Sequence, residues 1–348
     1  MKFGFIIALG LVGVAFLAVV FTSFTRPPIQ EVQRGYRGVG MVEVYNPRLV
    51  ADGVARNTVP APEPAVAPAG QPASAVYQNV KVLGDEDAVE FARTMQAMTD
   101  WVSPQQGCAY CHNQENFADD GLYTKVVARR MLQMVRHINS DWKSHVDGVG
   151  VTCYTCHRGQ PVPSYIWFQQ KPPRPEGMAE SGILKDHPSA VVASASLPSD
   201  PLSVFLKDDN NIRVISTTAL PTNDRQSIKQ AEWTYGLMMH FSQSLGVNCT
   251  YCHNSRSFFA WDQSTPQRAT AWYGIRMVRD LNNDYLESLH AAFPAARLGP
   301  GGDVPKVNCG TCHQGAFKPL YGASMLGDYP ELAGVQPAAA TEPAPTPQ

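Results

Sequence analysis

Cysteine and histidine carry the chemistry of this 348-residue chain. All eight cysteines fall in four copies of Cys-x-x-Cys-His: Cys108-Ala-Tyr-Cys111-His112, Cys153-Tyr-Thr-Cys156-His157, Cys249-Thr-Tyr-Cys252-His253 and Cys309-Gly-Thr-Cys312-His313. Two thiols so spaced form thioethers with the two vinyl groups of one porphyrin, and the adjoining imidazole becomes a ligand to its iron. Paired cysteine knuckles also bind zinc, and an even cysteine count suits disulfides. Neither explains a histidine after every second cysteine. The pattern implies four covalently attached haem c groups, with His112, His157, His253 and His313 as proximal iron ligands.

The sixth ligand sets what each iron can do. Methionine raises the reduction potential relative to a second histidine, and an open position permits small-molecule chemistry. A methionine on an apolar helix face is ordinarily packing, but here methionines recur ahead of the motifs. Met95, Met131 and Met238 are expected to ligate haems 1, 2 and 3, with Met98, Met134 and Met239 as near rivals. The fourth haem lacks a methionine at the matching position, which is Gly274. Five histidines lie outside the motifs, at 137, 145, 187, 240 and 290. Of these, His145 falls 14 residues after Met131, close to the same helical face, and Met277 is its rival as ligand to haem 4.

These side chains must be positioned by helices. Apolar residues at Val89, Ala92, Met95 and Met98 have helical spacing over Ala88 to Trp101. Val127, Met131, Met134, Ile138, Trp142 and His145 make one face of a long helix from Tyr123 to Val146, stopped by Gly148. Trp233 to Leu245 and Ala269 to Leu289 repeat the arrangement. An internal repeat organises all of it: Tyr110-Cys-His-Asn113 recurs as Tyr251-Cys-His-Asn254, Met134-Val-Arg136 recurs 143 positions later as Met277-Val-Arg279, and Met95 falls opposite Met238 at the same offset. The expected fold is a mainly α multihaem cytochrome of duplicated two-haem units, each a helix, a loop and Cys-x-x-Cys-His.

The units are flanked by other material. Residues 1–26 read as an N-terminal membrane anchor and 27–87 as a membrane-proximal segment with a stiff Pro/Ala linker. Two-haem halves span 88–160 and 231–325, joined by an irregular Pro-rich connection at 161–230 with short strands, and 326–348 is a Pro/Ala-rich tail. Phe3 to Thr25 has no charged side chain. At about 1.5 Å per residue it crosses a hydrocarbon core of roughly 30 Å, and it is longer than the roughly 7–15 apolar residues of a cleaved signal. No small-x-small cleavage site follows it, and no cysteine stands there for a lipid. Because c-type haem is attached outside the bacterial inner membrane, the remainder is expected to be periplasmic. The net charge of −2 gives no ground for nucleic-acid binding, and haem propionates would make the loaded protein more acidic and favour a basic partner.

The sequence resembles the tetrahaem cytochrome c subunit of purple-bacterial photosynthetic reaction centres, from roughly Arg34 to Met325. The residues that carry the likeness are Val127-Ala-Arg-Arg-Met131, Gly150-Val-Thr-Cys-Tyr-Thr-Cys-His-Arg-Gly159, Leu237-Met-Met239 and Thr265-Pro-Gln-Arg-Ala-Thr-Ala-Trp-Tyr-Gly-Ile-Arg-Met-Val-Arg-Asp280. The resemblance implies methionine–histidine ligation of haems 1 to 3 through Met95, Met131 and Met238, and bis-histidine ligation of haem 4 through His145. It implies a near-linear row of haems with haem 3 nearest the bacteriochlorophyll special pair, and makes Arg268 a candidate for tuning that haem. Well-known members carry a lipid-bearing N-terminal cysteine where this chain has its apolar span.

The expected function is therefore electron transfer: a photosynthetic-membrane subunit re-reduces the special pair and draws electrons through haem 1 from a soluble periplasmic donor, a small cytochrome c or a high-potential iron–sulfur protein. The acidic residues Glu115, Asp119 and Asp120 could dock a basic donor or be a solvated loop. Two rival classes remain. A membrane-anchored quinol dehydrogenase cytochrome would favour bis-histidine haems and need a quinol pocket. An oxyanion reductase would need one open iron.

Overall fold

The computed structural model describes residues 2–23, 28–33, 41–169, 189–213 and 228–334. His187, the Lys171–Pro175 stretch and the tail from 335 onward lie outside the described residues.

Helix α1 (Lys2–Ser23) is apolar on every side. Its Gly4–Ser23 portion has mean hydropathy 2.8, and none of that stretch is covered by the rest of the protein. An all-round apolar helix with no protein partner has lipid as its natural surrounding.

The short strands lie in the membrane-proximal segment, where β1 (Gln30–Gln33) pairs antiparallel with β2 (Val42–Tyr45), Gln30 opposite Tyr45. Within the described part of the Pro-rich connection, pairing is limited to a bridge from Trp167 to Lys306. After α2 (Pro47–Arg56), the Pro/Ala linker does not stand free as a spacer. Arg93 donates to the carbonyls of Glu63 and Pro64, Tyr329 Oη accepts from the amide of Glu63, and Asp87 accepts from the amides of Ala69 and Gly70. The linker is strapped down because proline leaves its preceding carbonyls without helical or sheet partners.

After the single turn α3 (Ala73–Val76), helix α4 (Ala88–Val102) starts at Asp87, whose carboxylate accepts from the amide of Val89, and buries Thr94, Ala97 and Trp101. Helix α5 (Tyr123–Asp141) buries Leu132, Met134, Val135 and Ile138. The expected continuous helix to Val146 breaks at Trp142 (φ −108°, ψ 30°) and resumes as one turn, α6 (Lys143–Val146). The break arises because the Trp142 indole donates to Asp280 at 2.7 Å, which turns α6 onto the second half. The second attachment motif forms α7 (Cys153–His157).

Further along, α8 (Ile228–Leu245) covers the expected Trp233–Leu245, whereas α9 (Pro266–Asp280) ends short of the Leu289 that periodicity predicted. Proline at the first position starts α9, and α9 runs on into a wide π turn at Leu281–Leu286. The fourth motif forms α10 (Cys309–His313), packed on α8. Leu132, Val135, Ile138, Leu202, Phe205, Leu237, Ile275 and Val278 belong to one buried core shared by both halves.

Two asparagines 143 positions apart do the same task. Asn139 Oδ1 accepts from the amide of Val151 and Asn282 Oδ1 from that of Val307, both at 2.8 Å. Each asparagine also donates to two carbonyls. Each thereby hooks the backbone two residues ahead of an attachment cysteine, and each is buried.

Candidate haem-binding site

The four motifs adopt two local geometries. The first and third open as 3-10 turns, Gly107–Tyr110 and Cys249–Tyr251. There Thr124 and Thr265 donate to the carbonyls of Tyr110 and Tyr251. The second and fourth are short helices. The amide at their N-cap, Thr152 or Asn308, bonds to the hydroxyl of Thr155 or Thr311.

One feature is common to all four. Each motif histidine donates its Nδ1 hydrogen to a backbone carbonyl: His112 to Phe117 at 3.1 Å, His157 to Gln160 at 2.9 Å, His253 to Phe258 at 2.8 Å and His313 to Ala316 at 2.9 Å. A neutral imidazole with its proton fixed on Nδ1 offers the bare Nε2 lone pair to a metal. Burial holds all four below the ordinary histidine range, His313 down to about 4. Burial likewise pushes the thiols up, Cys111 and Cys252 to about 11 and Cys153 and Cys309 to about 12.

A cavity of about 1060 Å³ runs among these groups. Cys111, Cys153, Cys156, His157, Cys249, Cys252, His253, Cys309, Cys312 and His313 line it, as do Met131, Met238 and His145. Met95, Cys108 and His112 lie outside that lining, and Met98 reaches it instead. Met95 is half-buried against the core. Met134 and Met277 are also on the cavity wall.

The His145 and His313 rings meet edge-on, with centres 6.2 Å apart and planes at 64°. At that separation the two rings could hold one metal ion between them through Nε2 atoms at about 2 Å each. The His145 Nδ1 donates to the Thr270 carbonyl at 2.9 Å, so its Nε2 is also bare. Burial lowers the pKa of His145 as well.

These donors suit a haem. Carboxylate-bearing groups are suited too, since Arg158 Nη1 and Arg297 Nε are buried without an acceptor, and Arg297 lies on the cavity wall. A zinc knuckle is a poorer fit: among the described residues no three histidine, cysteine or carboxylate side chains gather as a metal cluster.

One arrangement departs from expectation. Cys156 and Cys312 are disulfide-bonded, with Cα atoms 4.4 Å apart, while the other six cysteines are free. The pairing arises because α7 and α10 lie against each other. Gln314 donates to the Cys156 carbonyl and Arg158 to that of Cys312. A sulfur so paired is not available for a thioether.

Arg268, in the first turn of α9, does not extend as a surface charge. It donates to Ala260 O and Ser264 Oγ, lies 4.1 Å over the Trp261 ring and reaches the cavity beside the third motif. The acidic cluster is largely occupied. Arg129, Lys125 and Lys81 surround Asp120 at 2.8, 3.2 and 3.3 Å, with Arg129 chief among the groups that hold its pKa well below the usual carboxylate range. Asp119 caps its own loop at Gly121. Asp120 is thus ion-paired within the protein. Sequence reasoning missed the His145–Thr270 bond, whose only signal was the glycine at 274.

The chain matches the family described as photosynthetic reaction centre cytochrome C subunit over residues 25–333. It is similar to the photosynthetic reaction center cytochrome c subunits of Rubrivivax gelatinosus (54% identical over 93% of this chain and 88% of the relative), Thermochromatium tepidum (51%, 94% and 83%) and Roseobacter denitrificans (43%, 95% and 93%).

Proposed function

Because the chain belongs to the photosynthetic reaction centre cytochrome c subunit family, and so carries electrons to a reaction centre, we propose that it does so as a tetrahaem conductor with every iron six-coordinate. Bound haem c supplies a reversible one-electron couple. Once the Cys156–Cys312 pairing is opened, cysteine pairs 108/111, 153/156, 249/252 and 309/312 would hold the four groups, and the fixed Nδ1–H bonds of His112, His157, His253 and His313 would present the proximal ligands. That shared tautomer is the observation that carries the reading. Met131 and Met238 on the cavity wall support methionine ligation at the second and third motifs. Met95 at the first rests on its 143-residue offset from Met238. His145 opposite His313 supports a bis-histidine pair at the fourth.

The matched asparagine hooks support the reading of the chain as duplicated two-haem units. The contacts of α4 with α7, of α7 with α10 and of α10 with α8 support a spatial order of first, second, fourth and third motif. The first-motif end then meets a soluble periplasmic donor, a small cytochrome c or high-potential iron–sulfur protein. The third-motif end meets the reaction-centre core and its bacteriochlorophyll. Helix α1 anchors the chain in the inner membrane with the haem-bearing part on the periplasmic side. Arg268, a positive charge beside the third motif, favours the reduced state there; Arg268→Gln is expected to lower the midpoint potential of that site, checked by redox titration.

Flash spectroscopy on membranes with the haems reduced beforehand tests the function. Rapid haem oxidation matched to recovery of the bleached special pair is expected. Haems that ignore the flash but become reduced on adding quinol would turn the reading to a quinol dehydrogenase.

A further inference from the structure

We propose that Gly274 selects histidine over methionine as the distal ligand at the fourth motif, by leaving a gap on α9 that the His145 ring fills. The inference rests on the bis-histidine reading above and goes on to say what imposes it.

Gly274 is buried in the middle of α9, with an ordinary helical backbone and no positive φ. Glycine in a helix interior costs about 1 kcal/mol relative to alanine. Since the backbone does not demand glycine, the reason for it is space. A Cβ at 274 would lie 2.5 Å from Cε1, 2.8 Å from Nδ1 and 3.2 Å from Nε2 of His145. No rotation of a methyl relieves a collision with all three atoms, so any larger residue displaces the ring.

Gly274 also uncovers a hydrogen bond. In an α-helix the carbonyl of residue 270 lies beside the Cα of residue 274. With no side chain there, the Thr270 carbonyl accepts from His145 Nδ1 at 2.9 Å. That bond fixes the tautomer and leaves Nε2 bare on a ring whose centre is 6.2 Å from that of His313, the role an outer-shell carbonyl plays for metal-bound histidines. One absent side chain thus provides both the room and the orientation.

The position gives this its meaning. Gly274 lies 143 residues after Met131 and His145 lies 143 residues before Ser288. In the first half the helix carries methionine, and the residue approaching from the second half is Ser288, whose Oγ accepts from Arg130 Nε at 3.1 Å. In the second half the helix carries glycine, and the residue approaching from the first half is His145. The two differences are complementary. A methionine side chain at position 274 and the His145 ring cannot occupy the same volume.

The test uses holoprotein purified from membranes, read by electron paramagnetic resonance and by the near-infrared band of methionine-ligated ferric haem. The parent is expected to show one bis-histidine and three methionine-ligated signals. G274A is expected to lose the bis-histidine signal and keep the other three. A G274A spectrum identical to the parent, while H145A alters it, overturns the role of Gly274 and leaves the ligand assignment standing. An H145A spectrum identical to the parent overturns both. If G274A does not accumulate, the H145G/G274A double variant decides, because it removes the colliding ring. Recovery of four-haem protein in the double variant supports the proposal, and failure of both variants overturns it.

Discussion

His137 and Asp280 meet across the junction of α5 and α9, with Nε2 of the imidazole 2.7 Å from the carboxylate. They lie 143 positions apart, so the two halves touch through matched positions. Asp141 closes on the other ring nitrogen at 2.7 Å and the Trp142 indole donates to the same Asp280 oxygen. Tyr285 stacks on the imidazole. Both partners are mostly shielded from water, where a charge-assisted bond is worth more than at the surface. H137A is expected to destabilise the protein by about 1–3 kcal/mol. A double-mutant cycle with D280N is expected to give a coupling of about 1 kcal/mol or more, measured by denaturant unfolding of the holoprotein.

Asn282 is fully buried and satisfies two carbonyls and one amide. N282A orphans all three and is expected to cost about 3 kcal/mol. N139A should cost a similar amount. Since each hook precedes one motif, haem loss, read by mass spectrometry of the haem-bearing peptides, should be greater at the adjacent motif than elsewhere.

The first motif offers a clear choice between two methionines one turn apart. Repeat position favours Met95, while Met98 is the one that lines the cavity. M95L is expected to remove one methionine-ligated signal in the near infrared and lower one midpoint potential. M98L is expected to leave both unchanged.

Glu331 gives a pH dependence of definite sign. Burial raises its pKa, with Thr94 donating to the carboxylate and opposing part of that rise. Above the pKa of an unfolded glutamate, the folded form holds its proton more tightly, so stability falls as pH rises from that value through the raised one. E331Q is expected to raise the melting temperature at neutral pH. The gain should vanish below the ordinary glutamate range, as thermal scans across pH 4 to 8 would show.

What the sequence disclosed depended on how local the cause was. The attachment motifs are contiguous, and the helical faces at 88–102, 123–141 and 228–245 follow from periodicity, so they were legible. The break at Trp142 was not, because its cause is Asp280, 138 residues away. Asp120 looked like a free carboxylate because two of its cations, Lys81 and Arg129, are brought in from 39 residues before and 9 after. The linker read as a spacer because its straps, Arg93 and Tyr329, lie far along the chain. Long-range partners rewrote the role of residues whose local signals were read correctly.

The adjacency of Cys156 and Cys312 has a consequence for biogenesis. A cysteine sulfur has one valence to give, and these two sit on helices that close against one another. In an oxidising compartment a chain that folds first would seal both sulfurs together and withhold one cysteine from each of two attachment motifs. Productive assembly therefore has a schedule: either the second and fourth motifs are loaded while the halves are still apart, or a reductant reopens the seam. Folding fast is, for this chain, a hazard.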